Sequence, residues 1–202
     1  MRVLALDLAT TTGWSLFEGE LGQEPKLLRY GIATNNGPVK ENYGKYPYSF
    51  VDAADDVGGA VWSVVVETDP DIIVIEEINK ARARFSQKLL DFIHYSVLKR
   101  LHSYCEQDKV LYISTSEWRK VLGIKLSKEQ KKNNSKVNKA KRDGKSKKEL
   151  GLVGKVNQKH LSVSYSNDKY GLELLKKDDD VSDSICLGCA YFLGATFSDG
   201  KK

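Results

Sequence analysis

The 202-residue chain predicts an α/β fold: a five-stranded mixed sheet, made of an antiparallel meander plus two parallel strands, flanked by helices. Three observations predict it. Strand-like apolar runs follow one another at residues 2–6, 12–18 and 26–33 with only short polar turns between them, as a meander requires. Two further runs, 72–75 and 110–113, each follow a segment of helical periodicity, and a strand reached through a helical crossover lies parallel to its neighbour. Helical patterns occupy most of the remainder, enough to cover both faces of one sheet.

Taken in order, Val3–Leu6 is an uninterrupted apolar strand that ends at Asp7. Thr10, Thr11, Thr12 and Gly13 turn the chain into a strand around Trp14–Phe17, and the polar stretch Glu18–Pro25 leads to a third strand at 26–33. Residues 34–46 form a loop marked by Asn35-Asn-Gly-Pro38. From Pro47 to Thr68 the period becomes helical, on Phe50, Ala54, Val57, Val61 and Val64. Gly58 and Gly59 each cost about 1 kcal/mol of helix propensity there, which implies close packing against another element.

Asp69-Pro70-Asp71 stops that helix, and Ile72–Ile75 is a second buried strand ending in acid, Glu76-Glu77. A long helix is expected over 85–107, with Leu89, Ile93, Val97 and Leu101 on one face. Leu90, Phe92, Tyr95 and Leu98 widen its stripe beyond one sheet contact, so it is either buried in its own domain or meets a partner subunit. Val110–Ile113 is the fifth strand, and Ser114-Thr-Ser-Glu117 has capping-box spacing for a short helix that stops at Gly123. A lysine-rich stretch follows, whose centre is expected to be mobile without a ligand. A helix is expected from 155 to 169 on Val156, Leu161 and Tyr165, and a last one is opened by Asp178–Asp183 and runs through Leu193. The length suits one domain, 1–202, carrying the lysine-rich segment at about 125–160.

Charge is unevenly placed. Residues 125–160 hold twelve lysines and Arg142 against three acids, a net +10, while the whole chain is only +5 and the other 166 residues therefore carry −5. An acidic body with one basic segment points to a polyanionic partner approached through that segment, although a solvated surface loop would have the same composition. No apolar run is long enough to cross a bilayer, and Asp7 interrupts any signal-peptide pattern in residues 1–20. Three cysteines, an odd and sparse set, fit a reducing cytoplasmic compartment.

The acids carry the chemistry. Extending the first strand would bury the Asp7 carboxylate at a cost of several kcal/mol unless it is paired or holds a metal; the alternative is an aspartate that caps its own turn. Glu76 repeats the pattern. Asp180 and Asp183, three apart, project from one face of the last helix, and Asp183 sits one turn into an otherwise apolar helix. Asp178 and Asp179 are expected only to complement the helix N-terminus. Oxygen-only donors suit Mg²⁺ or Mn²⁺ rather than zinc, and two such ions about 4 Å apart cleave phosphodiesters.

At these residues the chain resembles the RuvC-type Holliday junction resolvases of the RNase H-like superfamily, in particular their phage-borne branch. The resemblance runs from residue 2 to about 194 and rests on Leu4-Ala-Leu-Asp7 with Thr12-Gly13-Trp14, on Ile73-Val-Ile-Glu76-Glu77, and on Asp180-Val-Ser-Asp183-Ser. It implies that Asp7, Glu76, Asp180 and Asp183 bind Mg²⁺ (Mn²⁺ substituting), two ions per site. It also implies a homodimer packed through the long helix and a crossover junction endonuclease that makes paired nicks in branched DNA. Glu77 is expected on the opposite face of its strand. The chain departs from the bacterial pattern at Leu8, where proline is usual, and at Asn79, where an aromatic is usual; Phe85 is the nearest aromatic.

The expected DNA contacts are Arg82, Arg84, Arg119, Lys120, Lys125, Lys128, Lys131, Lys132, Lys136, Lys139, Lys141, Arg142, Lys145, Lys147, Lys148, Lys155 and Lys159. Rival readings are an RNA–DNA hybrid nuclease of the same fold and a non-catalytic branched-DNA-binding protein. A sugar kinase, suggested by Asp7 with Thr10-Thr-Thr-Gly13, would need a second such domain. Cys186-Leu-Gly-Cys189 lies within a helix with no second ligand pair and is read as core; His94, His102 and His160 are read as surface or helix-face residues. Trp14, Trp62 and Trp118 are read as core.

Overall fold

The strands form one five-stranded sheet in the order β3-β2-β1-β4-β5, from β1 (Arg2–Asp7), β2 (Thr12–Glu18), β3 (Lys26–Ala33), β4 (Ile72–Glu76) and β5 (Val110–Ile113). β1–β2 and β2–β3 are antiparallel; β1–β4 and β4–β5 are parallel. This computed structural model describes residues 1–33, 44–77, 84–104, 107–144 and 151–198. Asn35–Pro38, Asn79, Arg82, Cys105, Lys145, Lys147 and Lys148 lie outside the described residues.

The period of two along each strand sorts the side chains into two cores. Leu4, Leu6, Ile73 and Ile75 face α1 (Tyr48–Thr68) and α2 (Arg84–His102), where Val57, Val61, Ile93 and Val97 complete one cluster. Val3, Ala5, Phe17 and Val74 face the other side, against Trp118 of α3 (Thr115–Val121) and α6 (Asp179–Phe192). Of α6, every residue from Val181 to Phe192 is buried. Gly58 packs closely on α2, since a β-carbon would stand 2.5 Å from Ser96 Oγ, whereas Gly59 faces open space.

The first half of the lysine-rich segment holds a helix that its sequence did not suggest: α4 spans Lys128–Arg142, with a capping box in which Ser127 Oγ accepts from Gln130 N and Gln130 Oε1 accepts from Ser127 N, while residues 145–150 lie outside the described residues. Asn134, Val137 and Ala140 form its buried stripe. Asn134 fastens the helix to the returning chain, donating to Val156 O at 2.6 Å and accepting from Val156 N at 3.0 Å. The next helix, α5, runs over Gln158–Tyr170 instead of starting at 155, because Asn157 is its cap and Val156 is committed to Asn134. α2 ends at His102, short of the expected 107, and a 3₁₀ turn at Gln107–Lys109 follows.

Candidate metal centre and nucleic-acid interface

The parallel pairing of β1 and β4 carries Leu6 opposite Ile75, so the next residues, Asp7 and Glu76, end adjacent strands on the face that α6 covers. α6 brings Asp183 to the same place. One carboxylate oxygen from each of Asp7, Glu76 and Asp183 lies within 4.8 Å of the others. The turn after β1 closes through Thr12, whose hydroxyl donates to Ala9 O at 2.8 Å and accepts from Ala9 N, rather than through Asp7.

Each acid is held by its surroundings. Thr115, the first residue of α3, donates its hydroxyl to Glu76 Oε1. Arg119 lies 3.7 Å from Asp183 Oδ2, spreads its guanidinium 4.7 Å from the Trp118 ring centre and donates to Gln158 Oε1 at 3.1 Å. Asp183 Oδ1 is buried with no hydrogen-bond partner among the described residues. Asp180 lies outside the set of three but lines the same cleft of about 330 Å³; Lys159 Nζ stands 3.5 Å from its Oδ1 and also contacts Asp179 Oδ2. Asp179 therefore pairs with Lys159, and Asp178 accepts from Leu175 N instead of capping α6.

Crowding of acids away from water raises their proton affinities. Burial, then the neighbouring Glu76 and Asp183, hold Asp7 well above the usual carboxylate range. Burial pushes Glu76 up to about 7 against the Thr115 hydroxyl, and pushes Asp183 up to about 6. An orphaned buried carboxylate oxygen inside an all-oxygen donor set fits a hard divalent cation, which would take up the oxygen that the protein leaves unpartnered.

Sequence reasoning missed two residues here. Thr115 was legible only as part of a capping box, yet the pairing of Glu76 with Ile113 sets the start of α3 beside that glutamate. His94 lies on a face of α2, one of the two placements expected, but that face is buried; it lines the cleft, its Nδ1 lies 3.0 Å from Tyr112 Oη, and burial lowers its pKa to about 4, so it is neutral near pH 7. Glu77 turns aside to accept from Ser198 Oγ at 2.8 Å.

Around this centre the described basic residues divide by exposure. Arg84, Lys120, Lys125, Lys128, Lys131, Lys132, Lys136, Lys139, Lys141, Arg142 and Lys155 are exposed, the Lys159 side chain is half exposed, and Arg119 is mostly covered. On α4 the lysines occupy the sides not taken by Asn134, Val137 and Ala140.

No protein-family model matches the sequence, and no curated protein matches it. Solved structures do resemble it. RuvC of T. thermophilus in complex with Holliday junction substrate has a TM-score of 0.60 at 11% identity, over 94% of this chain and 92% of that one. A further structure of Thermus thermophilus RuvC gives 0.56 at 13% identity over the same shares of the two chains. The yeast mitochondrial Holliday junction resolvase gives 0.52 at 14% identity, over 95% of this chain and 77% of that one. The likeness establishes the fold: this chain shares with those structures a five-stranded mixed sheet with helices on both faces.

Proposed function

We propose that the chain is a divalent-metal-dependent, structure-selective endonuclease that resolves Holliday junctions by paired nicks, acting as one nuclease domain in a homodimer. The observation that carries this reading is the meeting of Asp7, Glu76 and Asp183 within 4.8 Å, from two strand ends and one helix. The neighbouring folds lend support: one of them was solved with Holliday junction substrate and another is itself a Holliday junction resolvase.

In this reading Asp7, Glu76, Asp180 and Asp183 hold two Mg²⁺ ions, with Mn²⁺ able to substitute. When bound, such ions activate the attacking water and stabilise the leaving 3′ oxygen. The protein's own groups orient the acids: the Thr115 hydroxyl fixes Glu76, and Arg119 fixes Asp183. Arg84, the α4 lysines, Lys120, Lys125 and Lys155 hold phosphates of the junction arms. The outer face of α2 supplies the dimer contact, because Phe85, Phe92, Tyr95 and Leu98 are exposed there while Ile93 and Val97 are buried in the protein's own core. Free, buried Cys186 and Cys189 fit a reducing, cytoplasmic setting.

The deciding experiment incubates the purified protein and Mg²⁺ with a labelled four-way junction, beside linear duplex and RNA–DNA hybrid. Symmetric nicks in the junction are expected, with the duplex left intact. Cleavage of the hybrid alone would make it a hybrid nuclease. Tight junction binding without nicks under Mg²⁺ or Mn²⁺ would make it a binding protein.

A further inference from the structure

We infer that Lys159 serves as a resident counter-ion at the fourth acid, so that the centre takes one divalent ion without DNA and a second only when a DNA phosphate draws the ammonium away. This rests on the metal-centre reading above and concerns how that centre is completed.

Three acids converge and one does not. Asp7, Glu76 and Asp183 stand within 4.8 Å of one another, while Asp180, on the same helix turn as Asp183, is engaged by Lys159 Nζ at 3.5 Å. Asp179 grips the same ammonium, so two carboxylates share one cation beside the cleft. That ammonium lines the same cleft as Asp180 and the three convergent acids.

The placement of Lys159 makes little sense for its own helix. It sits in the first turn of α5, two residues after the Asn157 cap, where a positive charge opposes the helix dipole. What favours a cation there is the acid pair across the cleft. The side chain is half exposed, so the pair is screened and can be exchanged for another anion. It also belongs to the end of the lysine-rich segment, four residues beyond Lys155. Its neighbour Gln158 accepts from Arg119, which in turn lies beside Asp183, so the same short stretch contacts the gripped acids directly and the convergent ones through Arg119.

Counting Mn²⁺ bound per chain by electron paramagnetic resonance and calorimetry tests this, without and with a four-way junction carrying uncleavable phosphorothioate linkages. Wild type is expected to bind one ion strongly alone and a second with the junction. Lys159→Met is expected to bind the second ion about threefold to tenfold more tightly in the absence of DNA, whereas Lys159→Arg keeps wild-type behaviour. Asp180→Asn should remove the DNA-dependent ion and spare the first. Equal second-ion affinity in wild type and Lys159→Met, with folding verified by circular dichroism, would overturn the inference while leaving the metal centre standing. Failure of the wild type to bind even a first ion would instead sink the metal-centre reading.

Discussion

Gly13 of β2 faces the backbone of Asp180 so closely that a β-carbon there would lie 2.0 Å from the Asp180 carbonyl oxygen and 2.3 Å from its carbon. The contact begins a regular run. Two residues on, Ser15 Oγ donates to Ser184 O at 2.9 Å; two further, a β-carbon on Gly188 would strike the Phe17 ring at 2.5 Å; and Gly19 meets Phe192. Steps of two along the strand match steps of four along the helix, because about 6.8 Å of strand nearly equals about 6 Å of helix. α6 is thereby laid along β2, and its acid-bearing first turn is brought to the end of β1.

Gly13→Ala must therefore move backbone, not a yielding side chain. A destabilisation of about 2 kcal/mol or more in urea unfolding is expected, together with weaker Mn²⁺ binding as the Asp180–Asp183 turn shifts. Gly59→Ala is the matched control: it faces open space within α1 and should gain about 0.5–1 kcal/mol. Equal effects at the two sites would show that the close approach is not what places α6.

Asp7→Asn should abolish junction cleavage and leave junction binding intact. It also removes a buried carboxylate whose neighbours are Glu76 and Asp183, so metal-free stability should rise by about 1 kcal/mol. Thermal melts in EDTA, run beside the cleavage assay, check both. Retained cleavage would displace Asp7 from the centre.

Without metal, stability should fall with rising pH. The folded-state pKa of Glu76 is about 7 against an ordinary 4.5, so between these values the folded chain binds more protons than the unfolded one. Its contribution is fully present below about pH 4.5 and is lost as pH rises to about 7, an effect on the order of 3 kcal/mol. Asp183, at about 6, acts in the same direction. Excess Mg²⁺ should reverse the slope, since the ion binds the deprotonated acids of the folded state only. Differential scanning calorimetry across this range would decide; an apo stability that rises with pH would contradict the crowded centre.

Replacing Lys131, Lys132, Lys136 and Lys139 together by Gln removes four exposed cations from α4 without touching its buried stripe. Junction affinity should drop, and the slope of log K against log salt should become shallower by about 0.9 for each phosphate that these lysines no longer neutralise. Cleavage at saturating junction should be retained. An unchanged salt slope would remove α4 from the interface.

Charging the outer face of α2, as Phe92→Glu with Tyr95→Glu, should convert a dimer to a monomer by sedimentation while the circular dichroism spectrum is preserved, because both side chains are exposed and outside the core. A chain that is monomeric before the change would refute the dimer.

Much of this arrangement was legible in the sequence. Asp7 and Glu76 follow apolar strand runs, so both stood out as acids at buried strand ends, and Asp183 stood out as an acid within an apolar helix; the register that sets the two strand ends side by side came only with the structure. The α4 helix was hidden because charged and polar residues dominate it and mask a stripe of only three buried positions; Ser127-Lys-Glu-Gln130 was the one local signal. His94 was hidden for another reason. Its burial depends on Tyr112, eighteen residues away on β5, and nothing in α2 alone announces that partner.

The burial of α6 from Val181 to Phe192 has a consequence for the lifetime of the centre. A helix enclosed along its length cannot fray without opening the core, so the backbone that carries Asp183 stays in place short of global unfolding, while its carboxylate faces the cleft. Amide hydrogens of Ile185 to Ala190 should then exchange only as slowly as the whole molecule opens, and an ion seated on Asp183 would leave by dissociation from a closed fold, never by local melting of the helix that holds it.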